Sequence, residues 1–378
     1  MATVETNSKG NLREIAGLFF KLGCIAFGGP AAHIAMMEEE VVQKRKWMTE
    51  QHFLDLIGAT NLIPGPNSTE LTMHCGQERA GWKGLLVAGI SFIFPAALVT
   101  ALFAHLYLSY GTLPDVAPFI FGIKPAVLAI IASAAHKLSK KAITSNFYAV
   151  VGVLVFLLSL KGINEFTLLF ATAILGILLS LRSAKSVPSV TIVPYFLGTT
   201  GISHMPPLQL FLSFLKIGSI LYGSGYVLFA FLDTELVQTG WLTRQVLLDA
   251  VAVGQLTPGP ILTTATFIGW QLHGFYGALL ATLGIFLPSF VFVLLLNPIL
   301  PKIRASAKIS RVLDLVNVAA VALIFSVCAQ MGTEILIDWK PLSIGILSFI
   351  AVFFYKKLSS IYIIIGGSIL GYLLHLIG

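Results

Sequence analysis

Two Pro-Gly-Pro triplets, Pro64-Gly65-Pro66 and Pro258-Gly259-Pro260, are the points where this sequence is best equipped to do chemistry. Proline removes a backbone donor and clashes with the preceding turn, and glycine adopts dihedrals that other residues avoid, so no helix runs through either triplet. A helix that restarts after such a break presents N–H groups and the positive end of its dipole, which suits an anion. Asn67, Ser68 and Thr69 follow the first break as cap and hydroxyl donors, and Thr263 and Thr264 follow the second. A lone proline reads as an ordinary kink, whereas two matched breaks favour a functional discontinuity. Gly28-Gly29-Pro30 and Gly223-Ser224-Gly225 interrupt apolar segments in the same manner, either for close helix packing or to unwind the backbone.

Three lysines lie inside apolar segments. Lys21 and Lys216 fall about 12 to 14 Å into their segments at helical rise, and Lys124 about 9 Å. A lysine at bilayer depth costs about 2.5 to 3.5 kcal/mol on insertion scales, so these side chains are expected to face protein or water, with snorkelling the plain alternative for Lys124. Together with backbone donors they predict an electropositive pocket made by Lys21, Gly28, Gly29, Gly65, Asn67, Ser68, Thr69, Lys124, Lys216, Gly259 and Thr263. Asp55 and Asp249 each stand nine residues before a Pro-Gly-Pro, either as salt-bridge partners of a buried lysine or as protonatable coupling sites. Glu70 reads as a helix N-terminal acid, and Glu40 and Glu235 as mouth residues; all five acids are candidates for coupling or gating. The histidines, His33 and His74 among them, read as packing.

The elements that must position these residues are membrane helices. Of 378 residues 56% are hydrophobic and 11% charged, too few polar groups to cover a soluble domain of this size. The apolar blocks run to about 18 to 25 residues, the length that crosses a hydrocarbon core. Spans are predicted near Leu12–Met36, Gly84–Tyr110, Pro118–Leu138, Ala142–Leu160 and Glu165–Leu181, and again near Leu208–Phe231, Gly277–Leu300, Val312–Met331, Leu342–Tyr355 and Ile361–Leu376. The net charge of +7 sits in short clusters between spans, as in cytoplasmic loops, and does not point to nucleic acid. The three cysteines are isolated, with no metal-ligand spacing or disulfide framework, and the polar N-terminus has no signal-peptide pattern.

The chain repeats itself. From Trp47 to Pro66 and from Trp241 to Pro260, nine of twenty ungapped positions are identical, and partners stay 193 to 195 residues apart elsewhere. This predicts a first repeat over 1–182 with a hairpin at 50–79, a linker over 183–207, and a second repeat over 208–378 with a hairpin at 243–271. Loop charges exchange between the copies. Lys137, Lys140 and Lys141 occupy one loop of the first half, while in the second half Lys302, Arg304, Lys308 and Arg311 occupy the other. Equivalent loops therefore face opposite sides, and the halves are inverted. The expected fold is an all-α polytopic membrane protein with two inverted-topology repeats, about ten transmembrane helices and two re-entrant Pro-Gly-Pro hairpins, both termini outside. Twelve spans with parallel halves is the rival count. No metalloprotease, phosphate-loop, nucleophile-elbow or acidic metal-cluster signature is present, so no enzyme activity, cofactor or metal is expected, and transport energy would come from a gradient.

Phe27-Gly28-Gly29-Pro30, the Trp47…Asp55…Pro64-Gly65-Pro66-Asn67 run, Ile123-Lys124-Pro125 and the second Trp241…Pro258-Gly259-Pro260 closely resemble the chromate ion transporter family in its two-domain form. The resemblance covers nearly the whole chain. It implies a carrier of the bacterial inner membrane that exports chromate, a sulfate-like dianion, and confers chromate resistance. Membrane lipid, chromate and sulfate are the expected partners, with H+ as candidate coupling ion and a homodimer as candidate assembly. A sulfate or other oxyanion carrier, or a passive anion channel, shares the same features. Gly-Ser-Gly replaces Gly-Gly-Pro in the second copy and Ile261 stands opposite Asn67, so the two hairpins are expected to contribute unequally, the first more.

Overall fold

The computed structural model describes residues 11–27, 29–60, 62–111, 113, 115–181, 205–222, 225–296, 307–355 and 358–377. Gly28, Asn61, Gly223, Ser224, Lys302, Arg304 and nearly all of the 183–207 linker lie outside the described residues. Every element among the described residues is helical.

The first helix, α1 (Leu12–Ile25), is capped by Asn11, whose side chain accepts from the Arg13 N–H at 3.0 Å. Gly29, at φ 78°, ends the break that follows, and Pro30 opens α2 (Pro30–Glu38), which runs on through a π-helical turn, Glu39–Lys44. One span was expected over this stretch, but the chain doubles back. Arg45 Nε lies 3.8 Å from Glu14, Lys21 Nζ lies 3.1 Å from Glu40, and the Phe19 and Trp47 rings are 6.4 Å apart. In one straight helix Glu14 and Arg45 would be separated by about 46 Å. The second half repeats the arrangement. After α8 (Pro207–Ile220), a 3-10 turn (Gly225–Val227), α9 (Leu228–Leu232) and a π-helical turn (Asp233–Val237) return until Glu235 meets Lys216 at 2.6 Å.

A second returning hairpin follows in each half. The first rises as α3 (Glu50–Thr60), breaks at Pro64-Gly65-Pro66 and leaves along the first part of α4 (Asn67–Tyr110). That long helix is itself folded at Ala80 and Gly81, the latter at φ 60°. A Cβ added at Gly76 would meet Ala88 Cβ at 2.6 Å, although twelve residues of straight helix measure about 18 Å. Residues 67–80 and 82–110 therefore lie antiparallel, and bare Gly76 and Gly84 let their backbones touch. The counterpart is α10 (Arg244–Leu256), Pro258-Gly259-Pro260, a 3-10 turn at Ile261–Thr263 and α11 (Thr264–Leu296), folded at His273 and Gly274. There a Cβ at Gly269 would meet Ala281 Cβ at 2.8 Å.

Unbroken helices complete each half: 82–110, α5 (Ala117–Ala142), α6 (Asn146–Leu160) and α7 (Glu165–Leu181), then 275–296, α12 (Ala307–Ile335), α13 (Trp339–Phe354) and α14 (Ser360–Leu376). The helices Asn67–Tyr110, Ala117–Ala142, Ile261–Leu295 and Ile309–Ile335 are long and apolar enough to cross a membrane, and α6, α7, α13 and α14 are shorter apolar helices. Leu86, Ile90, Phe94, Leu98 and Leu102 form an exposed stripe at four-residue spacing, repeated by Leu279, Leu283, Leu287, Val291 and Leu295. Such a stripe would drive aggregation in water and is at home in lipid. The chain is a multi-pass integral membrane protein.

The halves interlock. Gly122 on α5 abuts Gly367 and Gly371 on α14, while Gly176 on α7 abuts Val312 on α12, so the second unbroken helix of each half packs against the other half's last helix. The two ends of the described chain sit at opposite ends of the bundle. Glu14 lies beside Arg79, where 82–110 begins, and Gly371 packs on Pro118, just beyond where that helix ends. This departs from the expectation of both termini on one side, because α1 returns instead of crossing.

Candidate functional site

The two Pro-Gly-Pro tips meet the two broken helix ends in the middle of the molecule, each with the other half. The Gly259 N–H donates to Ala26 O at 2.9 Å, and the Gly65 N–H donates to Leu221 O at 2.6 Å. Ala26 and Leu221 are the C-caps of α1 and α8, whose terminal carbonyls need a partner. Both glycines hold positive φ, 142° at Gly65 and 82° at Gly259, which only glycine takes without strain. Their N–H groups, expected to hold an anion, join the halves instead.

Beside these tips a cavity of about 580 Å³ is lined by Pro66, Asn67 and Ser68 from the first hairpin and by Pro260 and Ile261 from the second. In the first turn of the helix that starts at Asn67 the Thr69 and Glu70 N–H groups donate to Pro66 O at 2.8 and 3.0 Å, and the positive end of the helix dipole lies at this end of the cavity. From the tips the cavity runs along α5 to Lys137 and Lys141, both exposed, and along the start of α12 to Asp314 and Asn317. Tyr226 and His33 add to its polar lining near the tips. His33 is buried, with Nε2 3.0 Å from Ala26 O and Nδ1 3.1 Å from Ser68 Oγ. A larger groove of about 770 Å³ between α5, α6, α12 and α13 is walled by residues such as Phe156, Phe325 and Phe349 and offers an anion almost no donor.

The expected lysines stand elsewhere, each against a carboxylate. Lys21, 55% exposed, bonds Glu40, which also takes Lys44 and Arg45. Lys216, 46% exposed, bonds Glu235 and lies 4.1 Å from the Phe166 ring centroid. Lys124, only 14% exposed, lies 3.4 Å from Asp249, itself 4% exposed. The same Asp249 oxygen accepts from the Tyr107 hydroxyl at 2.6 Å. The depth arithmetic for Lys21 and Lys216 assumed straight spans, and the fold-back brings each to its own half's acid. Asp55, the repeat partner of Asp249, is exposed on α3.

Of the remaining candidates, Asn67 and Ser68 reach the cavity, and Gly29 and Gly259 line a small void of about 20 Å³ beside it. Thr69 is buried, its hydroxyl without a hydrogen-bond partner among the described residues. Thr263 donates to Pro260 O at 2.9 Å and accepts from Thr100 at 3.2 Å; Thr100 also approaches Thr257 at 3.4 Å, so these hydroxyls are engaged with one another and stand outside the cavity lining. Glu70 is buried behind Gly65 beside the Ser289 hydroxyl. Gly28 lies outside the described residues. His33, Lys137, Lys141, Tyr226, Asp314 and Asn317 were not singled out as site residues. One signal was available: Asn317 stands 193 residues after Lys124, at the repeat spacing.

Comparison with known proteins bears directly on this arrangement. A family model described as "Chromate transporter" matches the chain twice, over residues 13–177 and again over 208–372. A "Chromate transport protein" of Cupriavidus metallidurans is 28% identical over 380 residues, covering 98% of this chain and 94% of the relative. One of the same name from Pseudomonas aeruginosa is 27% identical over 95% of this chain and 92% of its own. A shorter "uncharacterized transporter" of Bacillus subtilis is 28% identical over 154 residues, 40% of this chain and 77% of the relative. No solved structure matches.

Proposed function

The chain belongs to the chromate transporter family, and from that premise we propose that it is a secondary active transporter that exports chromate from the cytoplasm across the bacterial inner membrane and so confers resistance. One observation carries the reading: the cavity joins the restarted helix at Asn67 to Lys137 and Lys141 at the mouth. A dianion entering there meets cationic side chains first, then the Asn67 and Ser68 side chains at the positive end of a helix dipole. The mouth lies on the face that also carries Lys44, Arg45, Arg79 and Lys83, which the positive-inside rule assigns to the cytoplasm. The cavity is thus open towards the compartment from which an exporter loads.

The inverted relation of the halves is part of the proposal. Lys137 and Lys141 close α5, Asp314 and Asn317 open α12, and all four share one cavity, so these repeat-equivalent helices run in opposite directions. Arg311 at the start of α12 also donates to Leu179 O at the end of α7. Each half then consists of two returning hairpins and four crossings, in place of five crossings and one hairpin. In that arrangement Leu181, beside the start of α12, and Met205, bonded to His273, stand at opposite ends of the bundle. On the far side of the tips, Lys124, Asp249 and Tyr107, with the Thr100, Thr257 and Thr263 hydroxyls, form the closed gate. Rocking one repeat against the other opens that gate and closes the cavity, with Asp55 and Asn317 at the positions equivalent to Asp249 and Lys124.

Chromate uptake into inside-out vesicles, with sulfate as competitor and an imposed potential, tests the reading. Saturable uptake is expected, and Lys137→Gln with Lys141→Gln should raise KM several-fold, less so at high salt. Uptake no faster than in protein-free vesicles would refute transport, and linear, non-saturating flux would make the protein a channel. Sulfate blocking chromate without being displaced by it would make sulfate the preferred cargo.

A further inference from the structure

We propose that His33 is a positioning residue that sets which end of the Ser68 hydroxyl faces the anion, so that anion binding in this cavity takes up one proton. The inference rests on the chromate-transport reading of the same cavity but assigns a residue and a linkage that reading does not contain.

The hydrogen-bond pattern leaves the neutral ring one arrangement. Ala26 O only accepts, and it lies 3.0 Å from Nε2, so Nε2 carries the hydrogen; the same carbonyl takes the Gly259 N–H on its second lone pair. Nδ1 is then an acceptor, and the group 3.1 Å from it is the Ser68 hydroxyl, which must donate. With its hydrogen spent on the ring, Ser68 offers the cavity an oxygen lone pair, the wrong end of the dipole for an oxyanion. A proton added at Nδ1 reverses the bond. Nδ1–H now donates to Ser68 Oγ, the hydroxyl turns, and its hydrogen is released towards the cavity to meet the anion. The imidazolium charge adds to the attraction at short range.

The ring is held for this exchange. It stands edge-on to Phe92, with centroids 5.6 Å apart, and is tied at Nε2 to the broken end of α1, so it does not swing away when the far nitrogen changes state. Lys137 and Lys141 on α5, Tyr226 ahead of α9 and Asp314 on α12 are the titratable groups on the shared cavity. The segment that carries Ser68 also bears buried Glu70 and His74, and Glu38 ends α2 itself. The side chain that reaches Ser68 Oγ among the described residues is His33, at 3.1 Å. A dianion that leaves with one proton carries one net negative charge, which an inside-negative potential favours by about 2.3 kcal/mol per 100 mV.

The test uses the full-length protein in detergent, with sulfate and chromate as probes. Binding is measured by calorimetry between about pH 4 and 8, a window that covers the ordinary histidine range and extends below it. Wild-type affinity should rise as pH falls, by at most about tenfold per pH unit for one linked proton. His33→Gln keeps a donor for Ala26 and an acceptor for Ser68 but takes no proton, so its affinity should lose that slope and stay at the weak, high-pH value. The anion's own protonation is common to both proteins and cancels in the comparison. Ser68→Ala should lose the same slope, and the double variant should do no more. Lys137→Gln should weaken binding at every pH and leave the slope intact. Proton uptake by the wild type on adding sulfate or chromate in weak buffer supplies a readout that needs no variant to fold. Binding without proton uptake, a His33→Gln protein with the wild-type slope, or additive His33 and Ser68 effects each overturns the proposal while leaving transport standing. A wild type that binds neither anion at any pH overturns both.

Discussion

Replacing Asp249 by asparagine isolates the far-side gate. The amide fits the same space and still offers an oxygen to the Tyr107 hydroxyl, 2.6 Å away, but it removes the charge 3.4 Å from Lys124. Removing one partner of a buried ion pair costs about 3 to 5 kcal/mol, since the remaining charge is left desolvated. Here the Lys124 side chain keeps 14% exposure and the tyrosine bond survives, so about 2 kcal/mol is the better figure. In the alternative state the gate is open and water solvates Lys124, so the penalty falls on the closed form alone. About 2 kcal/mol then shifts the equilibrium about thirty-fold towards the externally open state. The shift can be read with a cysteine at Val253, between Asp249 and the second Pro-Gly-Pro, in a protein whose own three cysteines are replaced. Labelling by a membrane-impermeant maleimide from outside should accelerate by about that factor, and the charge-reversed pair Lys124→Asp with Asp249→Lys should return it towards the starting rate. Labelling changed by less than about twofold would refute the gate, whatever the effect on flux.

Further outcomes follow from the same geometry. Cysteines placed at Leu181 and at Pro206 should be labelled from opposite sides of the membrane, and labelling from one side would contradict the inverted arrangement. Gly76→Leu should abolish folding of the first hairpin, and even Gly76→Ala should lower the melting temperature in detergent, because the added carbon meets Ala88 Cβ at 2.6 Å. Gly65→Ala combines a φ of 142° with a Cβ placed 2.5 Å from Ser289 Oγ, and should abolish transport by displacing the tip. A wild-type rate for that variant would remove the tip from the mechanism.

Much of this architecture was legible in the residue order. The Pro-Gly-Pro breaks had to interrupt helices, and the 193 to 195 residue spacing revealed the duplication. The fold-back of α1 onto α2 was not legible. A returning pair of short apolar helices and one long span have the same hydropathy, and the difference lies in a few residues around Gly29. That one reversal moved Lys21 and Lys216 from the expected pocket to Glu40 and Glu235. Lys124 was foreseen as buried and Asp249 as a salt-bridge candidate, but their pairing joins residues from different halves, which no local pattern encodes.

Composition and periodicity by themselves determined the solvent, the helical class, the duplication and the places where helices must break, because these depend on each residue's own chemistry and its near neighbours. Tertiary structure decided which donors remain for a ligand. The glycine N–H groups at the tips are consumed by Ala26 and Leu221, the three candidate lysines by their acids, and Ser68 is left to His33 and the cavity. A hydrogen bond or ion pair depends on distances of a few ångströms between groups far apart along the chain, and only the packed molecule sets them.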